Sequence, residues 1–137
     1  MIEKMNRMSR YCFRPSLGLL IIRVILGAIF VHHGWGKLGN IPMTEGFMSS
    51  LGMPGFMAYA IIAVEVIGGA MLILGVLMRV AAVATGIAML VAVSLAVYPH
   101  RGLGGSEFEI LLAGVSFGLA FIGAGKYRLA HIFEHEK

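Results

Sequence analysis

The chain has 137 residues, of which 58% are hydrophobic and 13% charged, with a net charge of +4 and a mean hydropathy of +0.87. Soluble domains carry about 25% charged residues, so this composition excludes an ordinary water-soluble enzyme and describes one integral membrane domain. The positive charge is no sign of nucleic-acid binding, because the basic residues lie at the ends of apolar segments, where membrane topology puts them.

In chain order, residues 1–14 form a basic head. A first span at about 15–36 starts at Pro15, a residue suited to the first turn of a helix. The basic flank followed by an apolar core resembles an uncleaved signal, and no small-residue cleavage site follows it. A Gly- and Pro-rich loop comes next, whose FMSSLGM centre is read as a short interfacial helix. Span 2 at about 54–77 and span 3 at about 80–98 form a tight hairpin around Arg79, and Pro99 is read as the stop of span 3. Span 4 covers about 107–125 and a polar tail follows, so the membrane domain is residues 15–127 and the tail 128–137. The predicted fold is all-α, a bundle of four transmembrane helices.

With the N-terminus inside, the cytoplasmic segments hold Lys4, Arg7, Arg10, Arg14, Arg79, Lys126, Arg128 and Lys137, and the outer loops hold Lys37 and Arg101. This bias puts both termini in the cytoplasm, in a bacterial plasma membrane. Cys12 is the single cysteine. It forms no disulfide within the chain, which excludes a dithiol relay here.

The residues that carry chemistry are the ionisable ones inside the spans. Such a group costs about 2.5–3.5 kcal/mol near the bilayer centre and needs a partner, a proton or a ligand. Glu65 lies mid-way along span 2 and Arg23 within span 1. At about 100° per residue, Arg23, Gly27, Phe30, Gly34 and Lys37 share one face of span 1. Ile61, Glu65, Gly69, Leu72, Val76 and Arg79 share one on span 2, and Glu107, Leu111, Gly114, Gly118, Phe121 and Gly125 one on span 4. Charge combined with small residues marks a seam between helices in lipid, with Gly34, Gly68, Gly69, Gly114 and Gly118 as the packing glycines. Glu109 is opposite Glu107, and Glu107 is taken as the inward one.

Side chains lean toward the N-terminus of their helix. Arg23 therefore leans to the cytoplasm, whereas Glu65, on a descending helix, leans outward toward His33 and Lys37. The expected polar cluster is His33, Lys37, Glu65 and Glu107, in the outer half of the bundle. Each has a bland alternative: Arg23 as a snorkelling cation, Lys37 as a topology signal, Glu107 as a helix N-terminal charge. His32 and His33 are adjacent, so their rings diverge, and spans 2–4 hold no interior histidine. No metal or haem site is expected.

Three segments then carry a family resemblance: Arg23 followed by FVHHGWGKL, then EVIGGAMLILGVLMRVAA, and finally GAGKYRL. In this order and spacing, the chain resembles the DoxX family of small membrane proteins over about residues 17–128. The resemblance implies a four-helix membrane bundle. It places the family's polar positions on Arg23, His33, Gly34, Lys37, Glu65, Gly68, Gly69, Arg79 and Glu107. The chain departs at its end, where Ala124 stands for a usual proline and Arg128 and Ala130 for Ser and Asp. Relatives resemble the large subunit of thiosulfate:quinone oxidoreductase, others are membrane partners of redox enzymes, and distant members are assembly chaperones.

The leading expectation is a redox-linked, quinone-interacting subunit with no covalently bound cofactor. Glu65 handles the proton, His33 is its hydrogen-bond partner, Lys37 faces the developing negative charge and Arg23 orients the bundle. Electrons come from a partner protein or a sulfur-compound donor. The alternatives are a non-catalytic scaffold or assembly factor, and a solute pathway formed by a homo-oligomer.

Overall fold

The computed structural model describes residues 14–129, together with Met1 and Glu3. Cys12, Lys4, Arg7, Arg10, Ala130 and Lys137 lie outside the described residues. Within them the chain is entirely helical: α1 (Pro15–Leu38), α2 (Ile41–Ser50), α3 (Met57–Leu74), α4 (Met78–Arg101) and α5 (Glu107–Ile122), with a single 3-10 turn at Leu103–Gly105. α1, α3 and α4 are long and apolar enough to cross a membrane.

Local chemistry sets the boundaries. Pro15 opens α1, where its missing N–H would have had no partner. The Asn40 side chain accepts from the Met43 backbone N–H at 3.2 Å and starts α2, earlier than the FMSSLGM segment suggests. Gly75, at φ 71°, ends α3, and Leu77 enters α4 at φ 43°. Gly123, at φ 93°, ends α5 at Ile122, so α5 has 16 residues rather than running to 125.

Both long C-terminal helices contain one π turn, Val64–Gly68 in α3 and Val93–Val97 in α4. On α3 the buried set is Ala58, Ile62, Glu65, Gly68, Gly69 and Leu72, with Ile61 only half-buried. On α4 the π turn lets the helix run past Pro99. One last turn, Tyr98–Arg101, forms with Pro99 in its first positions, where no amide donor is needed. Span 3 therefore continues to Arg101 instead of stopping at Pro99.

α1 and α3 run antiparallel. α1 crosses α3 at Gly27 and Gly69, and again where Gly34 meets Glu65. At the first crossing a Cβ on Gly27 would lie 2.5 Å from the Gly69 carbonyl oxygen, an approach open only to glycine. α4 packs mainly on α5, where the Thr85 hydroxyl donates to Ser116 at 3.4 Å and Phe117 covers Gly86. The core is Leu26, Phe30, Leu72, Met78, Ala81, Ala82, Met89, Leu112, Ala113 and Leu119. Large apolar side chains such as Ile25, Ile67, Val80, Ile87 and Leu111 point outward, as expected where the solvent is lipid.

On α5 the inward face differs from the sequence reading. Leu112, Ala113, Ser116 and Leu119 are buried, while Leu111 and Phe121 are 62% and 85% exposed. Among the described residues, no atom of another element lies within 4 Å of a Cβ added at Gly114 or Gly118. The small residues that make the α4–α5 contact are Ala113 and Ser116. Reading glycine as the packing residue selected the opposite face.

Candidate functional site

At the end of the bundle that holds α2 and the α4–α5 connection lies a cavity of about 360 Å3. Its walls come from the C-terminal third of α1, the N-terminal halves of α3 and α5, the C-terminal half of α4, and α2 with the segment after it. The lining is almost wholly apolar, with Phe30, Met48, Met57, Ile61, Ala92 and Phe108 among its side chains. Four polar side chains interrupt it: His33, Lys37, Glu65 and Glu109.

Glu65 is 1% exposed, on the first turn of the α3 π segment. Its Oε1 accepts from the Lys37 ammonium in an ion pair, and Lys37 itself keeps 32% of its side chain exposed. Gly34 explains how they meet. An added Cβ there would lie 2.9 Å from Glu65 Cβ, so the missing side chain lets α3 close on α1 one turn before Lys37. The two side chains lean toward their respective helix N-termini and so converge from antiparallel helices. Glu65 Oε2 is buried and has no hydrogen-bond partner among the described residues.

The sequence reading gave His33 the place beside Glu65, but Lys37 takes it. His33 stands off the Arg23–Gly34–Lys37 line and instead lies against Phe108, ring centroids 6.1 Å apart, with His32 edge-on at 6.0 Å. It still lines the same cavity.

Of the two acids that open α5, Glu109 faces the cavity and Glu107 is exposed. Glu109 is half-buried, with Oε2 sealed and without a partner among the described residues. Sequence reasoning chose Glu107 because it shares a line with Gly114 and Gly118. The phase of Ser116 was the better guide, since Glu109, Leu112 and Ser116 recur at helical spacing.

Arg23 sits at the opposite end of the bundle, 1% exposed. Its Nη1 donates to the Ala124 carbonyl at 2.6 Å, and Nη2 donates to the carbonyls of Tyr127 at 2.5 Å and Ile73 at 3.3 Å. Ile73 lies in the last turn of α3, whose partial negative charge favours a cation. A Cβ on Gly75 would lie 2.8 Å from Arg23 Nη1 and 2.9 Å from Arg128 Cβ. Arg23 therefore ties the segment after α5 to α1 and α3, and takes no part in the cavity. Gly68 packs on Thr85, and Arg79 is exposed near Gly123. Among the described residues no three His, Cys, Asp or Glu side chains come together as a metal site.

The DoxX family profile matches residues 18–99, which includes Arg23, His33, Lys37 and Glu65. This chain belongs to the DoxX family. It is 36% identical over 109 residues to a Bacillus subtilis (strain 168) protein named "Putative oxidoreductase CatD", covering 80% of this chain and 81% of that one. It is 30% identical over 117 residues to the Escherichia coli (strain K12) "Inner membrane protein YqjF", covering 83% and 90%. No solved structure matches. The DoxX profile ends before α5, so Glu109 lies beyond the matched residues.

Proposed function

We propose that this DoxX-family chain is the quinone-interacting membrane subunit of an oxidoreductase system. The observation that carries the reading is the Lys37–Glu65 ion pair, with one carboxylate oxygen unpartnered, at the wall of an otherwise apolar cavity of about 360 Å3. That size lies within the usual range for small-molecule sites, which are apolar with a few placed polar groups. A flat lipophilic ring suits the Phe, Met and Ala walls. Glu65 exchanges a proton with the bound ring, and Lys37 faces negative charge on its oxygen while its exposed side reaches water. Electrons enter from a partner protein or a sulfur-compound donor. The name of the Bacillus subtilis relative, "Putative oxidoreductase CatD", supports this class of function.

In the same reading α5 is a fourth, short span, both termini are cytoplasmic, and the cavity lies in the outer half of a bacterial plasma membrane. The name of the Escherichia coli relative agrees with that membrane. The basic residues Arg14, Arg79, Lys126 and Arg128 at the end away from the cavity agree with the orientation.

The test is solvent extraction of the protein purified from native membranes, followed by thermal melting with added quinone for wild type and Glu65→Gln. Bound quinone, with stabilisation lost in the variant, supports the reading. No quinone and identical melting responses defeat it. One observation favours a second reading, a membrane scaffold that docks a partner chain: the outward face of α5, with Leu111, Gly114, Gly118 and Phe121, is apolar, contains small residues and is left largely uncovered by the described residues. Under that reading Glu65→Gln leaves function unchanged.

A further inference from the structure

α3 and α4 form a hairpin that is closed near its turn and splayed at its other end. Three residues, 75–77, join the two helices. Gly68 meets Thr85, where an added Cβ would lie 3.1 Å from Thr85 Cγ2. From Val64 onward α3 packs on α4, whereas its first turns, Met57–Ala63, pack on α1 and α2. Counted away from the Gly68–Thr85 contact, Glu65, Ile61 and Met57 stand level with Ala88, Ala92 and Ala96. These three alanines line the cavity, together with Ala84. Alanine carries nothing beyond Cβ, so α4 leaves a slot along the cavity from Ala84 to Ala96, about 18 Å at 1.5 Å per residue. Ile87 and Val91 line the cavity too, yet are 51% and 40% exposed, so they form an edge that faces outward. In a bilayer that edge meets lipid chains. Every α4 side chain in the lining is apolar.

We propose that this slot seats the polyprenyl tail of a membrane-dissolved quinone, whose ring enters the cavity sideways from the bilayer, between α3 and α4. This rests on the quinone reading of the site and adds the class of quinone it takes and the route by which it arrives. Two features commit the slot to that occupant. It belongs to the same cavity as Lys37, so the ring and tail of one molecule fill one continuous space. Its α4 wall offers water no hydrogen bond, and left empty it forfeits the dispersion contacts of its lining. On the α1–α5 side the rings of His33 and Phe108 stand against each other, centroids 6.1 Å apart, and the imidazole makes that side polar. The tail gains little by leaving lipid, since lipid chains are as apolar as the slot. The slot therefore acts by orientation: with the tail toward lipid, the ring is turned toward the Lys37 end of the cavity.

The experiment uses the full chain in bilayer nanodiscs and a naphthoquinone whose tetraprenyl tail carries a photoactivated diazirine on its first isoprene unit. The competitor is 2,3-dimethyl-1,4-naphthoquinone, the ring without the tail. Irradiation is expected to label residues 57–64 and 84–97, and excess competitor to suppress that label about tenfold. Label that the tailless ring does not displace, or that excess phosphatidylglycerol displaces in its stead, reports bulk lipid or a phospholipid chain and overturns the inference. Displaceable label confined to α1, α2 or α5 overturns it as well and leaves the quinone site standing. Val91→Trp, which crowds the edge of the slot, adds an affinity readout. Its dissociation constant is expected to rise about tenfold or more for the tailed quinone and to stay within about twofold for the tailless one. Equal loss for both, or loss for neither, overturns the inference. No binding of either probe to wild type overturns the quinone reading with it. The wild-type labelling decides the matter even where the variant folds poorly.

Discussion

Replacing Gly27 by Ala tests the contact on which the cavity's geometry depends. The added Cβ would stand 2.5 Å from the Gly69 carbonyl oxygen, 2.6 Å from Ile73 Cγ1 and 3.1 Å from the Ile73 backbone nitrogen. Two of these three atoms are backbone, so a rotamer change relieves only Ile73, and α1 must move away from α3 by nearly 1 Å. Overpacking of this kind costs about 1–3 kcal/mol. For a chain of this size that lowers the melting temperature by roughly 3–12 °C. Gly69→Ala meets the same crossing from the other side, 2.7 Å from the Gly27 carbonyl oxygen, so the double variant should lose less than the sum of the two. Gly114→Ala, with open space around its Cβ, should melt at or above the wild-type temperature, because alanine is the better helix former. The assay is thermal unfolding of the purified chain in one detergent, followed by circular dichroism. A Gly27→Ala protein that melts with wild type would refute the close crossing, and with it the position of Glu65 beside Lys37.

Gly34→Ala would place a Cβ 2.7 Å from Val66 Cγ2 and 2.9 Å from Glu65 Cβ, so it should reduce quinone-dependent stabilisation as well as the melting temperature. Thermal shift with and without quinone separates the two effects. Arg23→Lys removes the fork that reaches the carbonyls of Ala124, Tyr127 and Ile73, and should speed hydrogen exchange and proteolysis at residues 123–129 while leaving the opposite end protected. Unchanged exchange there would show that the Leu129 N–H to Leu74 carbonyl bond, at 2.9 Å, suffices to hold the segment. Leu77→Gly should be neutral or stabilise by up to about 1 kcal/mol, because Leu77 holds a left-handed φ of 43° that glycine adopts freely; denaturant titration checks it. For orientation, a membrane-impermeant thiol reagent applied to whole cells should spare Cys12 and label Ser50→Cys. The reverse pattern would invert the bundle.

Composition and spacing determined much of this protein directly. Apolar segments of span length leave the backbone no choice but helix, because lipid supplies no hydrogen-bond partners. The face of α1 was equally legible: Arg23, Gly27, Phe30 and Gly34 are all buried, since an uninterrupted α-helix keeps a constant angle per residue. Glu65 stood out as costly from its position alone, and the family motifs lay in plain order along the chain. Three matters were settled only by the tertiary structure. The π turn in α3 is one, because no residue in the Val64–Gly68 segment announces it. The choice of Lys37 over His33 as the partner of Glu65 required the antiparallel crossing at Gly34, a contact between residues far apart in the chain. The choice of Glu109 over Glu107 required the rotation of α5, which its own pattern leaves open because apolar residues lie on every side. In lipid the outward face is as apolar as the inward one, so hydropathy shows that a helix is present and packing alone decides which way it turns.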